Sequence, residues 1–257
     1  MKKQLLNVGG LIALLVASST YSAQAVTLFS ETFDSYANGD LATTVPGVTI
    51  ANFSGDSATI SIAQSLSPNN SLLYTSDGAG APDLFFNFAS PVTVATTLVN
   101  PILNISFSFQ KVDNTYDPEI WVMFGPNAGF ATGNIGLRNN GLNNFFGSPD
   151  PGFQFTDQGA SWLTVNVAYT FTNNGTNITG YTGNFTTSGG AQNPTFNVEM
   201  TGLNIASIDS LRLQFRGALG NVYIDNVSIT AIPEPSTYAL LALGLGAVFF
   251  LRRCRAA

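Results

Sequence analysis

Apolar and polar residues alternate with a period of two along much of the chain. In the clearest stretches every second residue is apolar, and most of the residues between are Asn, Ser, Thr, Gln or Arg; these stretches are 103–110, 163–172 and 211–216. This period is typical of a β-strand with one face on a core and the other in solvent. Residues 26–231 contain no stretch with the apolar spacing and caps of a helix, so the pattern predicts an all-β protein.

Further strands are predicted where short apolar runs lie between clusters of Gly, Asn, Asp and Pro. These runs are 27–33, 58–63, 72–75, 84–88, 92–98, 119–124, 196–201 and 222–230. Many short antiparallel strands over about 200 residues predict an antiparallel β-sandwich of jelly-roll type. Residues 126–159 lack a comparable pattern, so we interpret them as a long loop at the rim of the sandwich.

Residues 1–25 have the three parts of a secretory signal peptide. Two lysines follow the initiating methionine, residues 11–17 are apolar, and an Ala-Gln-Ala cleavage motif ends at residue 25. The sequence therefore predicts export through the Sec machinery, with cleavage before Val26. A permanent N-terminal transmembrane helix is disfavoured because the apolar run is short and a cleavage motif follows it.

Residues 232–257 combine a Pro-Glu-Pro motif, an apolar run and a basic end. In order along the chain these are Pro233, Glu234 and Pro235, then 238–251, then Arg252, Arg253 and Arg255. As a helix the apolar run would be about 21 Å long, against about 30 Å of hydrocarbon in a bilayer. We therefore predict a short transmembrane helix that anchors the chain temporarily, with the arginines on the cytoplasmic side.

This order of motif, apolar run and basic end resembles the PEP-CTERM sorting signal of Gram-negative bacteria, which the membrane protease-transpeptidase exosortase recognises. The resemblance implies export, transient retention in the inner membrane, processing near the motif, and release to the cell surface or extracellular matrix. The alternative is an ordinary C-terminal membrane anchor. Either way, residues 26–231 form the body, and its function is not implied by the signal.

Composition excludes several classes of function for the body. It carries fourteen acidic and four basic residues, a formal net charge of −10, which disfavours nucleic-acid binding because phosphate groups are repelled. The protein has no histidine, and its one cysteine, Cys254, lies in the basic tail. The body therefore lacks Ser-His-Asp and Cys-His catalytic sets and His-ligated zinc. Any metal it binds must be held by oxygen ligands, which indicates calcium or magnesium.

Two carboxylates near the ends of the body are candidate metal ligands. Glu31 shares its strand parity with two phenylalanines, and Asp225 shares its parity with Tyr223 and Val227. A carboxylate on a core-facing row is costly unless it is paired or bound to a cation. If the first and last strands are neighbours, both carboxylates could bind one calcium ion. The alternative is that both are hydrogen-bonded rim residues without metal.

The segments 31–36 and 223–229 also resemble the terminal strands of galactose-binding-like jelly rolls, which include many carbohydrate-binding modules. That resemblance implies a structural calcium ion joining such acids, and a carbohydrate as ligand. It rests on two short segments and leaves the rest of the body without a match.

Aromatic side chains are candidate platforms for sugar rings, because the apolar face of a sugar stacks on an aromatic ring. We name Phe145, Phe146 and Trp162 as candidate carbohydrate-binding residues. Trp121 lies in a stretch that is apolar on both faces, so we expect it in the core. For each loop phenylalanine the alternative is packing against the sandwich.

A polysaccharide-degrading enzyme is the competing class. Glycoside hydrolysis needs two carboxylates roughly 5–10 Å apart, and Asp117 and Glu119 are the candidate pair. Acids two positions apart are common in turns, and Pro118 interrupts the strand pattern. The sequence therefore favours a non-enzymatic carbohydrate-binding or adhesive component of exopolysaccharide or biofilm, over a hydrolase or lyase and over a purely structural matrix protein.

Overall fold

The computed structural model describes eleven stretches of the chain: 25–51, 57–66, 69–77, 83–93, 102–111, 119–125, 135–138, 141–144, 161–190, 195–216 and 219–232. The interpretations of residues 1–24, of Phe145 and Phe146, and of the C-terminal segment 233–257 therefore concern residues outside the described part. No helix among the described residues is long and apolar enough to cross a membrane.

The described residues form antiparallel strands and one short 3-10 turn, Ala42–Thr44. The strands are β1 Val26–Glu31, β2 Val48–Ala51, β3 Ser57–Ser61, β4 Ser71–Asp77, β5 Asp83–Thr93, β6 Ile102–Lys111, β7 Glu119–Gly125, β8 Ile135–Arg138, β9 Gly141–Asn144, β10 Leu163–Asn173, β11 Ile178–Ser188, β12 Thr195–Ile205, β13 Ser207–Arg216 and β14 Leu219–Ile232. The predicted all-β class is confirmed. The hairpin β8–β9 lies inside the segment predicted to be irregular, because its strands are too short to show a period.

These strands form two sheets that pack face to face. The larger sheet has the order β12-β11-β10-β6-β14-β4-β3, with β1 also pairing with β14. The smaller sheet has the order β2-β5-β13-β7-β8-β9. A single buried apolar cluster contains residues of both sheets, and the rings of Phe29 and Phe86 meet across it at 5.1 Å. The structure is therefore a β-sandwich, while the jelly-roll connectivity stays a prediction.

Strand alternation divides the larger sheet into a core face and an outer face. In β10 the odd-numbered residues from Leu163 to Phe171 are buried, and the even-numbered residues between them are half-buried. The neighbouring strand β6 shows the same division, with Ile105 and Phe107 in the core and Asn104 and Ser106 on the other face. The period read from the sequence thus fixes which side chains face away from the smaller sheet.

A cluster of aromatic rings fills the core between β10 and β11. Tyr169 makes edge contacts with Tyr181 at 5.3 Å and with Phe185 at 5.9 Å between ring centroids. Burial raises the pKa of Tyr181 from 10.0 to about 12, and burial with the neighbouring Tyr181 raises the pKa of Tyr169 well above 10.0. Both phenols therefore stay protonated in the folded protein at pH values where an unfolded chain ionises them.

We expect the protein to lose stability in alkaline solution because of these two tyrosines. Below pH 10 both states keep the phenols neutral; above it only the unfolded state ionises, so the free energy of unfolding falls as the pH rises towards 12. Tyr181 alone should account for a loss of roughly 3 kcal/mol over this window. Urea titrations at pH 8 and near pH 12 measure the loss in the free energy of unfolding. This loss should be smaller for Tyr181→Phe than for the native protein. An equal loss would show that ionisation of Tyr181 is not its cause.

Candidate functional site

Two rows of small uncharged residues, all polar except Ala168, cross the outer face of the larger sheet. Cross-strand register sets the members of each row side by side on β1, β14, β6, β10, β11 and β12. The first row is Thr27, Thr230, Asn104, Ala168, Asn184 and Asn197. The second row is Ser30, Ser228, Ser106, Asn166, Thr186 and Thr195. We call these twelve residues the polar band.

The middle of the polar band is a cleft of about 320 Å³. Its lining residues are Asn104, Ile105, Ser106, Asn166, Val167, Ala168, Asn184, Thr186, Ser228 and Thr230. The side chains of Ile105 and Val167 are in the core, so these two residues contribute backbone. Ala168 is the one outward-facing member of the lining whose side chain has no polar atom, and this short side chain leaves room between Asn104 and Asn184.

The cleft is polar without being charged. None of its lining residues is Asp, Glu, Lys or Arg. At its edge the amide of Asn184 donates to Oδ1 of Asn197 at 2.8 Å. Amides and hydroxyls both donate and accept hydrogen bonds, so the cleft suits a ligand whose own groups do the same. It has no pair of carboxylates for general acid-base chemistry.

Next to the second row of the polar band, the outer face of the larger sheet is covered by another segment of the chain. Ser108 pairs with Asp225 on this face, and both are buried, at 1% and 0% exposure. The backbone N–H of Leu66 donates to Oδ2 of Asp225 at 2.9 Å, so the segment 62–66 lies over this end of the face. The covered end lies next to the second row of the polar band, whose residues all remain exposed or half-buried.

A β-bulge in β14 corrects the predicted orientation of Asp225. The register with β6 shifts between Asp225 and Ser228, and Asn226 has a φ of 52°. The extra residue reverses the alternation, so Val227 points into the core while Asp225 pairs with Ser108 on the outer face. Asp225 therefore does not share the core-facing row that a regular strand would give it. Its Oδ1 accepts the N–H of Asn226 at 2.7 Å.

Glu31, the other predicted ligand, ends β1 opposite Val227. Its Oε1 accepts the backbone N–H groups of Thr32 and Phe33 at 3.0 and 2.9 Å, and its Oε2 accepts the hydroxyl of Tyr36 at 3.2 Å. Burial, and then the charge of Glu31, raise the pKa of the Tyr36 phenol. The register thus places Glu31 and Asp225 beside the same bulge of β14.

A third group of oxygen atoms lies where two loops meet near this bulge. Oδ1 of Asp34 accepts the N–H groups of Asn69 and Asn70 at 3.2 and 3.1 Å, and Nδ2 of Asn70 donates to the carbonyl of Tyr36 at 2.7 Å. Asn70 is only 7% exposed, and its Oδ1 has no hydrogen-bond partner among the described residues. This acceptor is the one feature here that fits a bound cation. Within the described ranges no three acidic side chains form a metal cluster.

Of the predicted aromatic platforms, only Trp162 is described. It directly precedes β10 and is half-buried. A Cβ on Gly189, whose φ is +89°, would lie 2.8 Å from the carbonyl oxygen of Trp162. Glycine there lets the end of β11 approach the backbone of Trp162 closely.

The residues of the cleft were not among the sequence-based site candidates. Asn104, Ser106 and Asn166 stand at solvent-facing positions of strands that the alternation identifies. The sequence feature that could have identified them is their uncharged polar side chains, because soluble proteins commonly have Lys or Glu at solvent-facing positions. Adjacency across strands distant in sequence requires the sheet order, which alternation does not contain.

The C-terminal segment is a PEP-CTERM protein-sorting motif: the model of that family matches residues 231–256. This motif marks an exported protein that exosortase processes. The recognition made from Pro233, Glu234 and Pro235 is therefore confirmed, with a match that begins at the end of β14. No curated protein matches the chain.

Several solved structures are similar to the body at low identity. A xylan-binding domain from Paenibacillus barcinonensis is 12% identical and covers 83% of this chain and 99% of its own, with a TM-score of 0.38. A carbohydrate esterase from the Shiga toxin-encoding bacteriophage phi24B is 16% identical over 80% and 99%, with a TM-score of 0.46. An endo-β-1,4-glucuronan lyase from the fungus Trichoderma reesei is 12% identical over 76% and 94%, with a TM-score of 0.44. These TM-scores are too low to carry an argument about function.

Proposed function

We propose that the protein is a non-enzymatic component of the cell surface or extracellular matrix that binds polysaccharide in the cleft of the larger sheet. The observation that supports this most is the cleft itself, a concave site on the outer face of the larger sheet whose side chains are mostly amides and hydroxyls. Its volume of about 320 Å³ is in the range of small-molecule and cofactor sites. Sugar hydroxyls donate and accept hydrogen bonds as these side chains do.

The route to that location is the second part of the proposal. A signal peptide, residues 1–25, directs the chain to the Sec machinery, and the apolar run 238–251 holds it in the inner membrane of a Gram-negative bacterium. Exosortase then processes the chain near Pro233, Glu234 and Pro235. The body reaches the surface or the exopolysaccharide of a biofilm, where a neutral polar face suits a hydrated matrix.

An enzyme acting on polysaccharide is the competing proposal, and the cleft does not support it. Hydrolysis of a glycosidic bond uses two carboxylates, and the cleft lining has none. A purely structural matrix protein would make no use of the cleft. Release of reducing ends from polysaccharide would favour the enzyme, and absence of any glycan binding would favour the structural protein.

Replacing one amide of the cleft should weaken binding without unfolding the protein. We expect Asn166→Ala to lower the affinity for a bound polysaccharide by about tenfold, because a sugar hydroxyl loses a hydrogen-bond partner. Affinity electrophoresis in gels that contain soluble polysaccharide measures the change. The control is Thr172→Ala, on the same strand but outside the cleft; equal losses in both variants would refute the assignment of the site.

Trp162, Phe145 and Phe146 stay proposals for aromatic contacts to sugar. Trp162 directly precedes the strand that carries Asn166, so it is the first of the three to replace. If Trp162→Ala lowers the affinity for polysaccharide, and the double variant with Asn166→Ala loses the sum of the two effects, both residues would contact the same ligand.

We also propose that a structural calcium ion binds beside the bulge of β14. Glu31 and Asp225 are its carboxylate ligands, and Oδ1 of Asn70 is the neutral oxygen ligand. The support is chemical: the candidate ligands are all oxygen atoms, as calcium prefers, and Oδ1 of Asn70 is buried with no hydrogen-bond donor among the described residues. Calcium here would stabilise the loop 32–40 and the segments 62–66 and 69–70, and it would take no part in ligand binding.

A further inference from the structure

We infer that the polar band selects neutral polysaccharides and binds an internal stretch of the polymer that lies across the strands. This inference rests on the proposed function, because it specifies the ligand of the same cleft. It follows from three properties of the twelve residues: their two rows run across the strands, none of them is ionisable, and none of them is aromatic.

The long axis of the binding surface runs across the sheet. The cleft takes its lining from four adjacent strands but from only three consecutive positions on any one of them. Neighbouring strands are about 4.8 Å apart, so the six strands of the polar band span roughly 24 Å. The two rows are separated by about 7 Å along each strand. A surface of this shape fits an extended chain and is much longer than one sugar ring.

The residues at both ends of the band are exposed to solvent. At one end Thr27 and Ser30 of β1 are exposed, and at the other Thr195 and Asn197 of β12 are exposed. A polymer can therefore continue past the sheet in both directions. The band does not require a chain terminus, which a closed pocket would.

The charge of this surface disfavours anionic polymers. None of the twelve band residues is ionisable. On β11 and β12 the next outward-facing pair is Thr182 and Glu199, and Glu199 is exposed, so the charge nearest in register at that end is negative. Arg212, on β13, belongs to the smaller sheet. A uronic-acid or sulfated chain would lose hydration here without meeting a cation among the twelve residues of the band.

Recognition by such a band should depend on the length of the ligand. The twelve residues include no aromatic side chain, so no single stacking contact can dominate, and hydrogen bonds along the chain must add up. A mono- or disaccharide covers a small part of the band. The polymer therefore binds far more tightly than its building block.

Affinity electrophoresis of the full protein with two sets of soluble polysaccharides tests this inference. The neutral set is galactomannan, xyloglucan and mixed-linkage β-glucan; the anionic set is polygalacturonate and alginate, with EDTA present to remove bridging divalent cations. We expect at least one neutral polymer to retard the protein and neither anionic polymer to do so. Oligosaccharides of the retarding polymer should compete at least tenfold better at six sugars than at two.

The outcomes separate the two proposals. Retardation by an anionic polymer alone would overturn the neutral selectivity while leaving polysaccharide binding in place. Competition by a disaccharide as strong as by a hexasaccharide would overturn the extended internal stretch. Retardation by none of the five polymers would overturn the proposed function together with the inference.

Discussion

Replacing Ala168 by isoleucine is expected to reduce polysaccharide binding by at least tenfold and to leave the melting temperature almost unchanged. Ala168 lies in the middle of the first row, half-buried and facing away from the core. A branched side chain there would occupy the space between Asn104 and Asn184 and would bring no hydrogen-bonding group. Because isoleucine suits a strand and the position faces solvent, the fold should tolerate it.

Thr172→Ile is the matched control for this experiment. Thr172 is exposed on the same strand and does not line the cleft. Both variants should be compared with the native protein by affinity electrophoresis and by thermal unfolding. Native affinity in Ala168→Ile, or an equal loss in Thr172→Ile, would contradict binding in the cleft. Isoleucine is preferred to tryptophan because an indole ring could itself stack on a sugar.

Asp225→Ala is expected to lower the free energy of unfolding by about 3 kcal/mol. The carboxylate is fully buried and accepts the N–H groups of Leu66 and Asn226. Alanine would leave both donors without this partner at a bulge whose Asn226 already has a left-handed backbone. For a domain of this size that loss lowers the melting temperature by roughly 6–12 °C.

The same variant separates the hydrogen bonds from the proposed calcium ion. Asp40→Ala is the control, because Asp40 also accepts a backbone N–H, from Ala37 at 2.8 Å, but at an exposed turn; its cost should be near 1 kcal/mol. Adding calcium should raise the melting temperature of the native protein and of Asp40→Ala, and leave Asp225→Ala unchanged. If calcium raised the melting temperature of Asp225→Ala, Asp225 would not be a calcium ligand. If Asp225→Ala lost little stability in the absence of calcium, the hydrogen bonds that its carboxylate accepts would not have the structural role described above.

The alternation of residues was sufficient to predict several of the strands whose two faces differ, but it missed β11, where Gly183 and Thr187 take buried positions. β6, β10 and β13 were predicted within a few residues, and their apolar positions form the core. The prediction failed where local geometry interrupts the period. Residues 84–88 and 92–93 were predicted to belong to two strands, but they lie in one strand, β5; residues 94–98 of the second prediction are outside the described part. The pairing of β5 with β13 is irregular between Asn87 and Val92, around Pro91, and proline is tolerated at such a bulge.

The candidate site was harder to predict than the strands, for two physical reasons. The bulge at Asn226 reverses the side-chain direction of β14, and a single extra residue leaves no signal in an apolar pattern. The polar band joins residues as distant as Ser30 and Ser228, which only the sheet order brings together. The C-terminal motif was recognisable because its parts are contiguous in sequence.

The central claim, that the cleft of the larger sheet binds polysaccharide, is tested most directly by NMR. Backbone amide shifts of the isotope-labelled protein should be followed as the polysaccharide that retards it is added. We expect the largest changes at Asn104, Asn166 and Ala168, with little change at Ile208 and Leu211 in the smaller sheet. Changes concentrated in the smaller sheet or in the loops, with the polar band unaffected, would contradict this account.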